Sequence, residues 1–156
     1  TVASVPISTT LGNKLCVSGT FAPGEPWNGW TGQRDLWGIG QSGTAGSWRT
    51  VTTSTDRLRV QHWDASAGMR DYVFPHGLTG RDPQRVTTCN NAGTIKLCVN
   101  GIEIAKTPST EVGTGLWTTN GGTLYLGNYF NTSEFWDGSI SNLKVCKGAT
   151  KCSDCR

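Results

Sequence analysis

The sequence predicts an all-β protein, a two-sheet antiparallel sandwich, and three observations lead to that prediction. No segment repeats apolar residues with the 3.6-residue period of a helix, whereas several short stretches alternate apolar and polar residues as half-buried strands do. The 21 glycines among 156 residues favour tight turns between short strands. A chain of this length is expected to form one domain with a sizeable core.

The clearest strands lie in residues 85–105, RVTTCNNAGTIKLCVNGIEIA. Apolar and β-branched residues alternate with polar ones on both sides of a turn at residues 90–93. Asn100-Gly101 follows directly, and Asn-Gly can place two successive residues at positive φ, as a type I′ hairpin turn requires. We therefore predict two hairpins that share a strand, with the rest of the chain supplying the second layer of the sandwich.

The remaining elements are predicted in chain order. Residues 1–13 are polar and form a lead-in that offers at most an edge strand, residues 14–147 form the domain, and residues 148–156 form a cysteine-tethered tail. Further strands are predicted at 14–21, 36–40, 47–53, 56–63, 71–74, 123–127 and 139–146. Residues 107–120 are mostly polar and are predicted to be a long connection.

A hairpin centred on residues 54–55 predicts a candidate binding face. Its register sets Trp48 beside Gln61 and turns six side chains away from the core: Trp48, Thr50, Arg57, Arg59, Gln61 and Trp63. Of these, Trp48, Arg59, Gln61 and Trp63 are the candidate ligand-binding residues. An aromatic ring can stack on the apolar face of a sugar ring, while Arg and Gln supply hydrogen bonds to its hydroxyl groups. The alternative is that these large side chains simply pack beneath a long loop.

Six cysteines predict three disulfides and an oxidising, extracellular compartment: Cys16, Cys89, Cys98, Cys146, Cys152 and Cys155. Zinc is the alternative, because Cys152 and Cys155 have the spacing of a zinc knuckle. No second Cys-x-x-Cys or His pair accompanies them, however, which favours disulfides. The sequence leaves the pairing of the six cysteines open.

Charge and motif content argue against several functions. The net charge of +3 is small and its carriers are scattered, which argues against a nucleic-acid surface, and no transmembrane segment is recognisable. The 11 acidic residues show no paired-carboxylate pattern, and no triad has a local signature, so we expect no enzymatic activity. The chain begins at Thr1, and we expect a processed form or a piece of a larger parent protein.

Three stretches resemble laminin G-like domains of the concanavalin A-like jelly-roll family. TIKLCVNGIEIA (94–105) resembles the family's strand, Asn-Gly, strand hairpin. Residues 122–148 resemble its closing section, with a Leu-x-Leu-Gly strand at Leu124–Gly127, and residues 35–64 its early section. The resemblance covers about residues 14–147 and implies a jelly roll in which the first and last core strands are neighbours. Cys16 and Cys146 could then bridge those strands.

The resemblance also implies a function, although this fold serves lectins, adhesion modules and enzymes alike. We expect an extracellular or cell-surface recognition or adhesion module, with glycans as the first candidate ligand. Family members carry ligand or calcium contacts on loops at one rim. The aromatic loop at 128–138 therefore adds Tyr129 and Trp136 to the candidate ligand-binding residues, and calcium is a candidate cofactor.

Two other hypotheses stay open. The first is a structural subunit or surface decoration of an extracellular filament, pilus or virion, in which Trp48 and Trp63 would pack against neighbouring copies of the chain. In a glycan-binding monomer, by contrast, these tryptophans would be exposed to solvent. The second and more distant hypothesis is a polysaccharide-degrading enzyme.

Overall fold

Alternating segments of the sequence become antiparallel strands in the computed structural model. The structure describes residues 3–7, 11–41, 43–53, 56–111, 114–119, 122–128 and 134–156. The strands within them are β1 (Ala3–Ile7), β2 (Lys14–Pro23), β3 (Arg34–Ile39), β4 (Trp48–Thr52), β5 (Arg57–Trp63), β6 (Met69–Pro75), β7 (Gln84–Asn91), β8 (Thr94–Val99), β9 (Ile102–Ile104), β10 (Thr107–Glu111), β11 (Gly122–Leu126) and β12 (Gly138–Lys147). No helix in these ranges is long and apolar enough to cross a membrane.

The strands form two antiparallel sheets that face each other. One sheet has seven strands in the order β1-β11-β3-β4-β5-β6-β10, and the other has five in the order β12-β2-β7-β8-β9. This arrangement confirms the predicted sandwich. The lead-in strand β1 lies at the edge of the seven-stranded sheet, as the sequence indicated, and β2 and β12 are neighbours as the resemblance implied.

The two predicted hairpins are present in the five-stranded sheet. Asn100 and Gly101 have φ values of +51° and +83° and join β8 to β9 as a primed turn. Ala92 and Gly93, at +51° and +105°, form an equally tight turn between β7 and β8. Because this turn uses two residues rather than four, Asn91 pairs with Thr94.

One predicted connection is wrong in part. Residues 107–111 form β10, which pairs with β6 at the other edge of the seven-stranded sheet and contains a bulge between Pro108 and Thr110. An edge position tolerates Pro, which lacks the amide proton of a central strand residue. The segment TPSTE has no apolar alternation, so its pairing carried no signal in the sequence.

Indole rings fill both ends of the space between the sheets. At one end Trp48 contacts Trp37 and Trp117, with ring centroids 4.6 and 5.4 Å away. At the other end Trp136 contacts Phe21, Trp27 and Trp30 at 5.4–5.8 Å. Each indole buries a large apolar surface, so these two clusters stabilise the ends of the sandwich.

The predicted disulfides form, but the bridge between Cys16 and Cys146 does not. Cys16 on β2 lies between Cys89 on β7 and Cys146 on β12 in one row across the five-stranded sheet. Its bond goes to Cys89, and the other bonds are Cys98–Cys152 and Cys146–Cys155. The tail therefore lies against the outer face of the five-stranded sheet. With every cysteine oxidised, no thiolate is left for zinc.

Candidate functional site

The β4–β5 hairpin determines which side chains reach the outer face of the seven-stranded sheet, and its predicted register is wrong by one residue. Trp48 pairs with His62, and Arg49 pairs with Gln61. Trp48 therefore points into the core, where it is fully buried, whereas Arg59, Gln61 and Trp63 lie on the outer face with Arg49.

The error comes from the length of the turn. Thr53 N donates to Arg57 O, so three residues separate the two members of this hydrogen-bonded pair, instead of the two residues that the prediction placed in the turn. Asp56, the last of the three, has φ +41°. Hairpins with three-residue loops commonly place their last loop residue in this left-handed region, which Asp tolerates. Because side chains alternate with period two, a shift of one residue moves a whole strand's side chains to the other face.

Arg49 is the first centre of the outer face. Its Nε donates to Gln61 Oε1 at 2.7 Å, and its Nη1 donates to Glu134 Oε2 at 2.8 Å and Asp35 Oδ1 at 3.3 Å. These contacts connect β3, β4 and β5 to the segment before β12. Arg49 thus fixes the side chain of Glu134 over the sheet.

Arg59 is the second centre. Its Nε donates to both carboxylate oxygens of Asp71 at 2.7 and 2.9 Å, and its Nη2 donates to Oδ2 of the same residue. Its Nη1 donates to Gln33 Oε1 at 3.3 Å, and Gln33 Nε2 donates to Glu134 Oε1 at 3.1 Å. The hydrogen bond with Asp71 raises the pKa of Arg59 above its ordinary value, although burial opposes the effect. Gln33 and Glu134 therefore join the two centres.

We call this set the polar network: Gln33, Asp35, Arg49, Arg59, Gln61, Asp71 and Glu134. The side chains of Asp35 and Asp71 are fully buried, whereas Arg59 is 28% and Glu134 24% exposed. Burying charges is costly unless each is paired and hydrogen-bonded, as these are. The network thus presents donors and acceptors at its exposed edge in fixed positions.

The other described residues of the predicted site are not available for stacking. Trp63 lies on the outer face beside the network but is only 7% exposed, and Gln61 is 5% exposed. Trp136 is 9% exposed within its aromatic cluster. Tyr129 lies outside the described residues. Because both Trp48 and Trp63 are already buried within the monomer, their exposure does not distinguish a glycan-binding protein from an assembly subunit.

Among the described residues of the segment before β12, Phe135 is a large aromatic side chain that reaches solvent. It is 54% exposed and directly follows Glu134 of the polar network. It also lines a groove of about 680 Å³ between the edges of the two sheets, together with Leu126, Trp136, Ile140 and Leu143. The exposed edge of the network and an exposed aromatic ring are therefore adjacent in the chain.

The carboxylate of Asp64, in the loop after β5, is already engaged in hydrogen bonds. Asp64 Oδ1 accepts from the amides of Ser66 and Gly68 at 2.8 and 2.9 Å, and its Oδ2 accepts from the Gly115 amide at 2.8 Å. Burial alone would raise the pKa of Asp64, but these hydrogen bonds and that from the Ser66 hydroxyl hold it well below its usual range. Within the described ranges, no group of three or more His, Cys, Asp or Glu side chains is arranged to hold a metal ion.

Five members of the polar network escaped the sequence prediction: Gln33, Asp35, Arg49, Asp71 and Glu134. Asp35 and Asp71 stand among apolar residues of β3 and β6, and such charged positions inside strands were an available signal. Arg49 was assigned to the core face by the wrong register. Gln33 and Glu134 lie outside the strands and 101 residues apart, so no local pattern connects them.

Comparison with known proteins places the chain in a structural context. A laminin G model described as the concanavalin A-like lectin/glucanases superfamily matches residues 25–153. No curated protein sequence matches the chain. The chain is also similar to solved structures, and because the sequence identities are low, these similarities show the fold alone.

Three structures illustrate the similarity. Mouse laminin α1 domains LG4-5 superpose with a TM-score of 0.66 at 13% identity, covering 92% of this chain and 38% of that one. The Ruminococcus gnavus sialidase CBM40 module bound to α2,3-sialyllactose superposes with a TM-score of 0.66 at 12% identity, covering 92% of this chain and 81% of that one. A third structure is of botulinum neurotoxin type C, whose cell entry is described as dependent on interaction with two ganglioside molecules. It superposes with a TM-score of 0.62 at 14% identity, covering 91% of this chain and 34% of that one. The chain spans well under half of the laminin and toxin chains.

Proposed function

The chain belongs to the concanavalin A-like lectin/glucanase superfamily as a laminin G-like domain, and we propose that it is a non-catalytic module that binds glycans outside the cell. Structural neighbours with this fold include a carbohydrate-binding module seen with sialyllactose and a toxin whose entry depends on gangliosides. Three disulfides support a non-reducing compartment. Secretion and the choice of glycan are part of the proposal.

The polar network carries the proposal. Two fully buried aspartates hold two arginines on the outer face of a sheet, and a network of this kind does little for stability compared with apolar packing. It does fix the orientation of planar guanidinium and amide groups. Such preorganised groups bind vicinal hydroxyls without a large loss of side-chain entropy on binding.

The proposed site is the exposed edge of the network, formed by Gln33, Arg59 and Glu134, with Phe135 as the stacking residue. The side-chain amide of Gln33 lies between the other two polar groups, so a sugar hydroxyl placed there could exchange hydrogen bonds with all three. The exposed ring of Phe135 offers an apolar surface for one face of the sugar. Recognition would then depend on hydrogen bonding more than on tryptophan stacking.

A glycan-array screen of the oxidised protein, with and without calcium, tests the proposal. Gln33→Ala should weaken binding of a selected glycan by about tenfold, the effect of losing one or two hydrogen bonds. Gln41→Ala is the control, because Gln41 is an exposed glutamine that lies beyond the other end of β3. Equal affinity of the two variants would overturn the proposed site. An array on which the folded protein selects no glycan would overturn the proposed function.

The structural-subunit hypothesis is retained as a second candidate because one edge of the sandwich exposes apolar surface. Val5 is 47% and Phe135 54% exposed, and Ala3 on β1 lines the groove beside Phe135. Contiguous apolar patches mark association surfaces. Sizing of the same sample decides this point, since ordered oligomers that dissociate in Phe135→Ser, combined with a blank array, would favour assembly over glycan recognition.

A further inference from the structure

We propose that a second ligand site lies on the opposite side of the sandwich and binds a sulfate or phosphate ester carried by a glycan. The site is a groove of about 400 Å³ between the outer face of the five-stranded sheet and the C-terminal tail, which we call the tail groove. Its polar lining consists of Arg85, Thr87, Asn100, Ser153 and Arg156. It shares no residue with the polar network.

The tail groove exists because disulfides hold the tail against the sheet. Cys152 is bonded to Cys98 on β8, and Cys155 is bonded to Cys146 on β12, so residues 152–155 cross the intervening strands. The Asn100-Gly101 turn also lines the groove. The groove is therefore built by covalent bonds and a tight turn rather than by a mobile loop.

Arg85 is held in place at the base of the groove. Its Nε donates to Ser18 Oγ at 3.1 Å, and its Nη2 donates to Cys155 O at 2.9 Å. Ser18 is in turn hydrogen-bonded to Thr87 at 2.8 Å. The guanidinium group is thus oriented before any ligand arrives, which lowers the entropic cost of binding.

The partners of Arg85 are neutral, and this distinguishes it from the arginines of the opposite sheet. Arg49 and Arg59 each contact a buried aspartate. In the described part of the chain, Arg85 has a hydroxyl and a carbonyl as its hydrogen-bond partners and forms no ion pair. None of the side chains that line the tail groove is acidic. A partly buried cation without a counter-charge favours an anionic ligand.

The surrounding face is basic as well. Six basic residues lie on the outer face of the five-stranded sheet or in the tail: Lys14, Arg85, Lys96, Lys144, Lys151 and Arg156. Two acidic residues accompany them, Glu103 and Asp154, so this side carries 6 − 2 = +4. The rest of the chain holds 8 basic and 9 acidic residues, a net −1 that completes the total of +3.

The two acidic groups are already engaged. Glu103 Oε2 accepts from Lys96 Nζ at 3.3 Å, and Asp154 Oδ2 accepts from the amides of Thr150 and Lys151 at 3.1 Å. Lys96 and Lys151 line a smaller groove of about 210 Å³ that shares Gly101, Cys152 and Ser153 with the tail groove. A chain bearing more than one anionic group would therefore find further cations beside the first.

The donors of the tail groove fit a tetrahedral anion. Arg85 and Arg156 offer planar forks of N–H groups, and Ser153 adds a hydroxyl. A sulfate or phosphate ester presents three oxygens in different directions, whereas a carboxylate presents two in one plane. The groove volume admits a sugar ring in addition to the anion.

Binding is tested by ¹H–¹⁵N NMR titration. The probes are sodium sulfate, sodium phosphate, a sulfated disaccharide, the corresponding phosphorylated disaccharide, the same disaccharide without an ester, and an acidic peptide. We expect saturable shifts at Ser153, at the Arg85 side chain and at the Asn100-Gly101 turn with both ester classes, and none with the disaccharide without an ester. The tighter of the sulfated and phosphorylated ligands identifies the source of the ester. Binding should weaken as ionic strength rises from about 0.01 M to about 0.1 M, because the Debye length shortens from about 30 Å to about 10 Å.

Variants separate this site from general charge attraction. Arg156→Gln should weaken the preferred ester by about tenfold, as expected for the loss of a charge-assisted hydrogen bond. Arg57→Gln removes the same charge from the exposed start of β5, in the other sheet, and should leave affinity within about twofold. Arg85→Lys keeps the positive charge but loses the planar pair of N–H donors, so it should also weaken binding. The same spectra show whether this variant is folded.

Several outcomes would overturn the proposal. They are equal affinity of Arg156→Gln and Arg57→Gln, shifts confined to the seven-stranded sheet, and equal binding of the disaccharide without an ester. Preference for an acidic peptide over both esters would also overturn it, in favour of a protein partner. A neutral-glycan array without binding would not overturn this proposal. That array tests the site on the seven-stranded sheet, whereas the tail groove lies on the opposite sheet and has its own NMR resonances.

Discussion

Acidification should destabilise this fold because His62 is buried in its neutral form. The imidazole lies between the sheets and is fully buried. Asn90 Oδ1 accepts from the Gly93 amide at 2.8 Å, which turns the Asn90 amide group so that its Nδ2 donates to His62 Nδ1 at 3.2 Å. Protonating Nδ1 would set two donors against each other and break this bond between the sheets.

The size and sign of the effect follow from the pKa of His62. Burial lowers it from 6.5 to about 4, and the positive charge of Arg70 adds to the lowering. The unfolded chain therefore binds more protons than the folded one between these values. The free energy of unfolding has its full value above about pH 6.5 and falls by about 3 kcal/mol as the pH decreases to about 4, at about 1.4 kcal/mol per pH unit.

Urea denaturation followed by tryptophan fluorescence measures this loss at a series of pH values, since all seven tryptophans are at most 9% exposed and report on the core. His62→Gln cannot titrate, and its stability should decrease by about 3 kcal/mol less than that of the wild type over the same range. A pKa near 4 in an NMR titration of the His62 ring would provide independent support.

His76 is the one other histidine and needs its own control. Burial also lowers the pKa of His76, although the charge of Asp56 opposes this, and its Nδ1 accepts from the Leu78 amide at 2.9 Å. The variant His76→Gln measures its share of the acid sensitivity. The reasoning would be refuted if His62→Gln and the wild type lost equal stability, or if His62 titrated at its ordinary value in the folded protein.

Two further pairs of variants test how the chain is packed. Arg59→Met should lower the free energy of unfolding by about 3 kcal/mol, because it leaves the buried Asp71 carboxylate unpaired. This value is at the low end of the usual range because Arg59 is 28% exposed. The double variant Arg59→Met/Asp71→Leu should recover most of that loss in the same denaturation assay, and a cost below about 1 kcal/mol for the single variant would contradict the argument. Gly93→Ala should lower the thermal midpoint strongly, because φ is +105° and the new Cβ would lie 1.7 Å from Gly115 O. Gly148→Ala has a positive φ but open space, so it should cost only about 1–2 kcal/mol, and equal losses would show that the close approach is unimportant.

Turn chemistry explains how much of the fold could be predicted. Asn100-Gly101 lies between alternating segments, and its two residues have the positive φ values that the primed turn requires. The pairing of β7 with β8 was displaced by two residues in the prediction, which leaves every side chain on its predicted face. The β4–β5 pairing was displaced by one residue, and this smaller error moved Trp48 from the outer face to the core.

The candidate site was predicted only in part for a different reason. Arg59, Gln61 and Trp63 belong to one strand, so local alternation placed them together correctly. Their partners come from other elements: Asp71 from the next strand and Glu134 from the segment before β12. Such contacts depend on strand order, about which alternation contains no information.

The amino-acid sequence by itself determined the all-β sandwich, the positions of most strands and turns, and the oxidised state of six cysteines, because these depend on local alternation, turn residues and composition. Only the tertiary structure decided the disulfide pairing, the side of the sheet on which Trp48 lies, the polar network and the gathering of scattered basic residues beside the tail. Each of these depends on which distant segments become neighbours. That choice is made by packing the whole core, to which every strand contributes at once.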